Sequence, residues 1–215
     1  MRGKSWVLFD FDGTIADSSI ALLSAFNYLS REFKYKQISI DELGELRNQE
    51  GLKLLVGKLG WKFWNIPTFT RRMREEIAIR QSDIGLFSDI DSVIKELHKT
   101  SRLGIISSNS PATITAFLQH FKLENYFECV IGDAGYFSKK HSFLNFMDNY
   151  RVTADDILYV ADEGRDISFC NRLNIPIISV TWGYDDIKIL KKKKPTYIAQ
   201  NPYDILTIYG NHFHS

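Results

Sequence analysis

Trp6-Val7-Leu8-Phe9-Asp10-Phe11-Asp12-Gly13-Thr14 decides how the rest of the chain is read. Four apolar residues without alternation suit a central parallel strand buried on both faces. The run then meets Asp10 and Asp12, two apart, which would point the same way on a continuing strand. Gly13 permits a tight turn after them. Taken alone, the two aspartates read as well as solvated strand-end residues, or as a cap, as they do as a functional pair.

Similar runs recur at Leu103-Gly104-Ile105-Ile106, Cys129-Val130-Ile131, Ile157-Leu158-Tyr159-Val160 and Ile177-Ile178-Ser179-Val180. Between them lie helical spacings: Ile90, Val93, Ile94 and Leu97; Ile114, Phe117, Leu118 and Phe121; Phe143, Phe146, Met147 and Tyr150. Alternating strands and helices predict an α/β core, a Rossmann-like parallel sheet with helices on both faces and right-handed crossovers.

Residues 15–84 break this rhythm. No convincing strand is evident there, and the apolar residues fall at helical spacing: Ala21, Leu22, Ala25, Phe26 and Leu29; Leu43 and Leu46; Leu52, Leu55, Val56 and Leu59; Phe69, Met73 and Ile77. About seventy residues is too long for an ordinary strand-to-helix connection. The expected organisation is a discontinuous core, 1–14 and 85–215, carrying an inserted all-helical domain at 15–84.

Composition narrows the function classes. With 215 residues, a sizeable core needs no staples, and two cysteines, Cys129 and Cys170, exclude a disulfide scaffold. They are expected to be buried, inert thiols. Lys+Arg of 27 against Asp+Glu of 26 leaves a formal charge of +1, which gives no argument for nucleic acid. Asp10 and Asp12 interrupt the N-terminal apolar run too early for a signal peptide, and no run is long enough to span a membrane. A soluble, cytoplasmic protein with no membrane or nucleic-acid partner, a monomer or weak dimer, is the expectation. Lys191–Lys194 reads as a solvated helix end, and His212 and His214 as part of a frayed terminus.

The polar residues cluster after the strands. The first strand runs into Asp10 and Asp12, the second into Ser107-Ser108-Asn109-Ser110, and the fourth into Asp162-Glu163-Gly164-Arg165-Asp166. In a parallel sheet these ends share one edge, where open α/β folds place ligands. Ser110 before Pro111 suits a helix N-cap, which leaves Ser108 poorly explained. Carboxylates gathered in this way need a cation or raised pKa values, and Mg²⁺ is the natural hard cation for them. Lys139 and Lys140 open a helix, where basic charge is locally unfavourable unless an anion compensates it.

Those residues carry a family resemblance. Asp10-Phe11-Asp12-Gly13-Thr14, with Asp17-Ser18 after it, resembles the first motif of the haloacid dehalogenase superfamily of hydrolases. Ile105-Ile106-Ser107-Ser108-Asn109 resembles its second motif, Phe137-Ser138-Lys139 its third, and Ala161-Asp162-Glu163-Gly164-Arg165-Asp166-Ile167 its fourth. Thr181-Trp182-Gly183-Tyr184 is similar to a stretch common in phosphoglycolate-phosphatase-like members. Ala161 stands where glycine is usual, Lys140 is a second choice beside Lys139, and Ser107 an alternative to Ser108.

The resemblance implies a Mg²⁺-dependent phosphatase acting on a small phosphorylated metabolite, with the helical insertion as its cap. Asp10 would be the nucleophile that forms an aspartyl-phosphate, and Asp12, with a raised pKa, the general acid and base. Asp10, the Asp12 carbonyl and Asp162 would hold the metal. Ser108, Asn109 and Lys139 would bind phosphate. Asp166 and Glu163 would support the metal or Lys139 from behind, and Arg47 would touch a substrate anion. Asp12 favours phosphate-ester hydrolysis over dehalogenation, which needs no acid there. A phosphomutase of the β-phosphoglucomutase type and a non-catalytic binding protein are the rival readings.

Overall fold

The computed structural model describes residues 5–39, 42, 66–80, 83–133 and 139–213. They fall into two compact units, drawn from Met1–Ala16 with Leu86–Ser215 and from Asp17–Gly85.

The first unit is built on a six-stranded sheet whose order is β5-β4-β1-β6-β7-β8. Its strands are β1 (Trp6–Phe9), β4 (Arg102–Ile106), β5 (Cys129–Ile131), β6 (Ile157–Ala161), β7 (Ile177–Val180) and β8 (Tyr197–Ala199). Every pairing is parallel, with Leu8 level with Gly104 on one side and Tyr159 on the other. The sequence predicted β1 and β4 to β7. It missed β8, because Tyr197-Ile198-Ala199 is only three residues long and partly exposed at the sheet edge. Two further short strands, β2 (Ala16–Asp17) and β3 (Gly85–Leu86), form a separate two-stranded sheet. They are too short to leave a periodic signal.

Strands β1 and β6 at the centre are buried along their whole length, because helices cover the sheet. These are α3 (Ile90–Thr100), α4 (Pro111–His120), α5 (Lys139–Tyr150), α6 (Gly164–Leu173), α7 (Ile187–Lys193) and α8 (Tyr203–Phe213). Helix α3 buries the predicted stripe of Ile90, Val93, Ile94 and Leu97. Phe143 and Phe146 of α5 enter the core with Trp6, Leu8 and Tyr159. Trp6 meets Phe146 edge to face at 4.9 Å between ring centroids. The Tyr159 hydroxyl is a buried donor, and it donates to the Ile106 carbonyl at 3.2 Å. Cys170 is buried and Cys129 half-buried, and burial raises both thiols, keeping them protonated. Lys191–Lys193 close α7, as expected of basic residues at a helix C-terminus. No helix among the described residues is long and apolar enough to cross a membrane.

Strand β1 lies between β4 and β6, so the chain turns to opposite sides of β1 in successive parts of the sequence. That switch point opens a crevice at the carboxyl ends of the strands. The polar segments after β1, β4 and β6 all leave the sheet there.

In the second unit, α1 (Ser19–Phe33) and α2 (Ile66–Ile79) share a small core of Phe26, Leu29, Tyr35, Ile38 and Phe69. Asn27 clips the segment after α1: its amide donates to the Ile38 carbonyl at 2.7 Å and its oxygen accepts from the Ile38 N–H at 2.9 Å. Arg72 pairs with Glu32 and Arg71 with Glu75, in exposed ion pairs worth under about 1 kcal/mol each. Each buried Leu or Phe contributes about 1.5–3 kcal/mol, so the apolar core holds the unit together. The expected helices around Leu43 to Leu59, and Arg47 with them, lie outside the described residues.

Candidate active site

The turn after β1 is shaped by one carbonyl. Phe11 C=O accepts the N–H groups of Thr14, Ile15 and Ala16 at 3.3, 2.9 and 3.0 Å. Gly13 sits at φ +77°, and a Cβ there would lie 2.1 Å from Asp162 Oδ2. Glycine is therefore required twice, for the turn and for the close approach. The Asp10 N–H continues the ladder to the Val160 carbonyl at 2.8 Å, which fixes the Asp10 backbone to the sheet.

Asp10 is 5% exposed. Its Oδ1 accepts the Phe11 N–H at 2.8 Å and its Oδ2 lies 3.0 Å from Lys139 Nζ. Lys139, the first residue of α5, also donates to Asp166 Oδ2 at 2.8 Å. Burial alone would lower the Lys139 pKa, but Asp10 and Asp166 outweigh it and the net shift is upward. The unfavourable position at the start of a helix is offset by these two carboxylates. Lys140 is exposed.

Asp12 Oδ2 accepts a hydrogen bond from Asn109 Nδ2 at 3.0 Å. Asn109 Oδ1 in turn accepts the Ser110 N–H at 2.8 Å, and Ser110 caps α4 by accepting the Thr113 N–H at 3.1 Å. One N–H of the Asn109 amide therefore orients Asp12, and the NH2 group carries a second donor. Ser107 is buried at the end of β4, its N–H donating to the Ile131 carbonyl at 2.9 Å, whereas Ser108 is exposed. The sequence could not separate these adjacent serines. The burial differs because Ser107 still belongs to the ladder and Ser108 begins the turn.

Asp162, at the end of β6, is fully buried. Its Oδ1 accepts the Thr14 hydroxyl at 3.2 Å and its Oδ2 the Tyr184 N–H at 2.7 Å. Asp166 lies in the first turn of α6, 1% exposed, and its Oδ1 has no hydrogen-bond partner among the described residues. Glu163 is half-buried and its carboxylate pairs with Arg165. The α6 N-terminus is satisfied by a residue that sequence reasoning missed: Asp185 Oδ2 accepts the Gly164 N–H at 2.7 Å.

Burial, then the Asp10 charge, pushes Asp162 up to about 8, despite the Tyr184 N–H. Burial raises Asp166 to about 6, with Lys139 pulling it back and Asp10 adding to the rise. Four aspartates against one lysine would leave 1 − 4 = −3 charges if all were ionised. A hard cation removes that conflict. The donors fit one: Asp10 and Asp162 offer buried carboxylate oxygens and Asp12 a main-chain carbonyl oxygen. Among the described residues no three His, Cys, Asp or Glu side chains gather closely enough to hold a metal alone. Mg²⁺ does not need three, because it keeps several waters and takes one or two carboxylates.

The shifts set a pH dependence for the metal-free protein. Both folded-state pKa values lie above the unfolded value near 3.8, so the folded chain holds protons that the unfolded chain has released. Stability therefore falls as pH rises from about 4 to about 8 through these two groups. Urea unfolding in EDTA should show a lower midpoint at pH 8 than at pH 6. A midpoint that rises over this range would contradict the assignment.

Residues 7–180 match the family described as haloacid dehalogenase-like hydrolase. A phosphoglycolate phosphatase from Synechococcus elongatus is 28% identical, covering 93% of this chain and 94% of its own length. The pyrophosphatase PpaX of Oceanobacillus iheyensis is also 28% identical, covering 96% of this chain and 97% of its own. A haloacid dehalogenase-like hydrolase from Streptococcus pneumoniae superposes with a TM-score of 0.84 at 19% identity, covering 96% and 98% of the two chains. With the match spanning most of the sheet and the strand-end aspartates, the chain belongs to the haloacid dehalogenase-like hydrolase family.

Proposed function

We propose that this protein is a Mg²⁺-dependent phosphatase that hydrolyses a small phosphorylated metabolite through an aspartyl-phosphate on Asp10. One observation carries the reading: Lys139 bridges Asp10 and Asp166 inside the crevice, while Asn109 aims Asp12 from the neighbouring strand end.

A carboxylate oxygen of Asp10 attacks phosphorus and the bond to the leaving oxygen breaks. Protonated Asp12 gives its proton to that oxygen, so the product leaves as a neutral alcohol. The resulting Asp12 carboxylate then takes a proton from water as the water oxygen attacks phosphorus. The bond to Asp10 breaks, inorganic phosphate is released, and both aspartates return to their starting states. Lys139 holds positive charge beside Asp10 throughout. Asp10, Asp162 and the Asp12 main-chain carbonyl would hold Mg²⁺. When bound, it neutralises charge on the phosphoryl oxygens. Asp166 holds Lys139 in place, and Glu163, paired with Arg165, is assigned no contact with the metal. Ser107, rather than Ser108, donates to a phosphoryl oxygen, because it is the buried hydroxyl at the strand end.

The helical segment 15–84 is read as the cap that selects the substrate. The phosphatase and pyrophosphatase relatives favour a compact, anionic substrate, to which Arg47 would contribute charge.

Phosphate release from a panel of phosphorylated metabolites, with Mg²⁺ and then with EDTA, tests the reading. Turnover that survives EDTA, or phosphate that passes to sugar instead of water, would overturn it. Within the same assay, Ser107→Ala should lower kcat/KM by about 10–100-fold, and Ser108→Ala should stay within about twofold. The reverse ranking would return the role to Ser108.

A further inference from the structure

Asp162 sits in a closed ring of contacts. Thr14 Oγ1 donates to its Oδ1 at 3.2 Å, and the Tyr184 N–H donates to its Oδ2 at 2.7 Å. The ring closes through Trp182, whose indole Nε1–H donates to the Thr14 carbonyl at 3.2 Å. The loop after β7 and the turn after β1 therefore grip one carboxylate from two sides and are tied to each other. Neither side has room to spare. A Cβ on Gly183 would lie 2.1 Å from Asp162 Cβ, and one on Gly13 would lie 2.1 Å from Asp162 Oδ2.

We propose that Trp182 is a positioning residue that sets the site's affinity for a divalent cation, by holding the Tyr184 amide and Thr14 against Asp162. The proposal rests on Asp162 as a Mg²⁺ ligand. A carboxylate carries about four lone-pair sites, and two donors leave lone pairs free for a metal. Those donors fix the direction of the remaining lone pairs. Groups behind a ligand tune affinity because a hard cation with strict geometry tolerates little misdirection. Trp182 is suited to the task by its single N–H. Its ring also meets Phe87, at 6.5 Å between centroids, a contact that phenylalanine could keep.

The test uses Mg²⁺ alone as probe, with the rise in melting temperature as readout for wild type, Trp182→Phe and Thr14→Val. The Mg²⁺ concentration needed for a fixed rise in melting temperature should increase about tenfold in each variant. With p-nitrophenyl phosphate, the Mg²⁺ needed for half-maximal rate should rise likewise, while the rate at saturating Mg²⁺ stays within about threefold. A residue that only packs the loop would lower the starting melting temperature and leave the Mg²⁺ dependence unchanged. Wild-type Mg²⁺ dependence in folded variants overturns the positioning role. No Mg²⁺ response in the wild type overturns the metal reading beneath it, and the proposal with it. Thr14→Val decides the matter should Trp182→Phe not fold.

Discussion

Asp10→Asn should abolish phosphate release, lowering kcat by at least about three orders of magnitude. The amide keeps the shape of the side chain, and its one oxygen can accept from either the Phe11 N–H or Lys139. It cannot act as the anionic nucleophile. The fold should survive the change, because two effects oppose one another. Lys139 loses one partner but keeps Asp166 at 2.8 Å. Asp162 and Asp166 are relieved of the Asp10 charge that raises both of them. The melting temperature should therefore move by only a few degrees, and the variant should lose activity as a folded protein. Turnover near the wild-type rate would remove Asp10 from the chemistry.

Lys139→Ala should have the largest effect on stability. Lys139 is 4% exposed, and its ammonium lies within 3.0 Å of two buried carboxylates. Removing it leaves Asp10 and Asp166 without their shared countercharge, a change that costs about 3–5 kcal/mol. For a chain of this size that corresponds to a fall of roughly 10 °C in melting temperature. Phosphatase activity should fall with it, because no other cation among the described residues stands beside Asp10. The deficit has a pH signature. Asp166 already sits above its ordinary value, and loss of Lys139 pushes it further up. At low pH the folded variant protonates this carboxyl and escapes the penalty. At pH 8 the penalty is nearly complete, so the deficit should grow from pH 5 to pH 8. A deficit below about 1 kcal/mol at pH 8 would mean that Lys139 is a surface lysine in solution. Lys140→Ala, at the exposed neighbour, is the control.

The core was readable because its signals are local. Unbroken apolar runs at Trp6–Phe9 and Ile157–Val160 leave few alternatives to buried parallel strands. Strand ends on one edge then bring Asp10, Asp12, Asp162 and Asp166 together, whatever the details of the helices. What failed to show in the sequence is set by contacts between distant segments. Strand β8 is stabilised by its pairing with β7, and Tyr197-Ile198-Ala199 has too short a pattern to announce it. The difference between Ser107 and Ser108 is one residue of register, which depends on where the β4 ladder stops. The capping of α6 by Asp185 joins residues 21 apart. The Trp182 bond to Thr14 joins residues 168 apart, and neither partner carries a local mark of the other. Asn109 is the instructive intermediate case. Its position near the site was expected, but its amide is directed at Asp12, a partner 97 residues away.

On the proposed pathway the phosphoryl group passes through a bond to Asp10. An acyl phosphate is an activated carboxyl group that borohydride reduces to an alcohol, and a free carboxylate resists the reagent. Protein turning over p-nitrophenyl phosphate with Mg²⁺ should therefore be quenched with borohydride, digested, and the peptide that carries position 10 sequenced by mass spectrometry. Homoserine should replace aspartate at position 10, dependent on substrate and Mg²⁺, with Asp12 unchanged. Reduction at Asp12 or another carboxylate, or unreduced Asp10 in a sample caught during turnover, would contradict it.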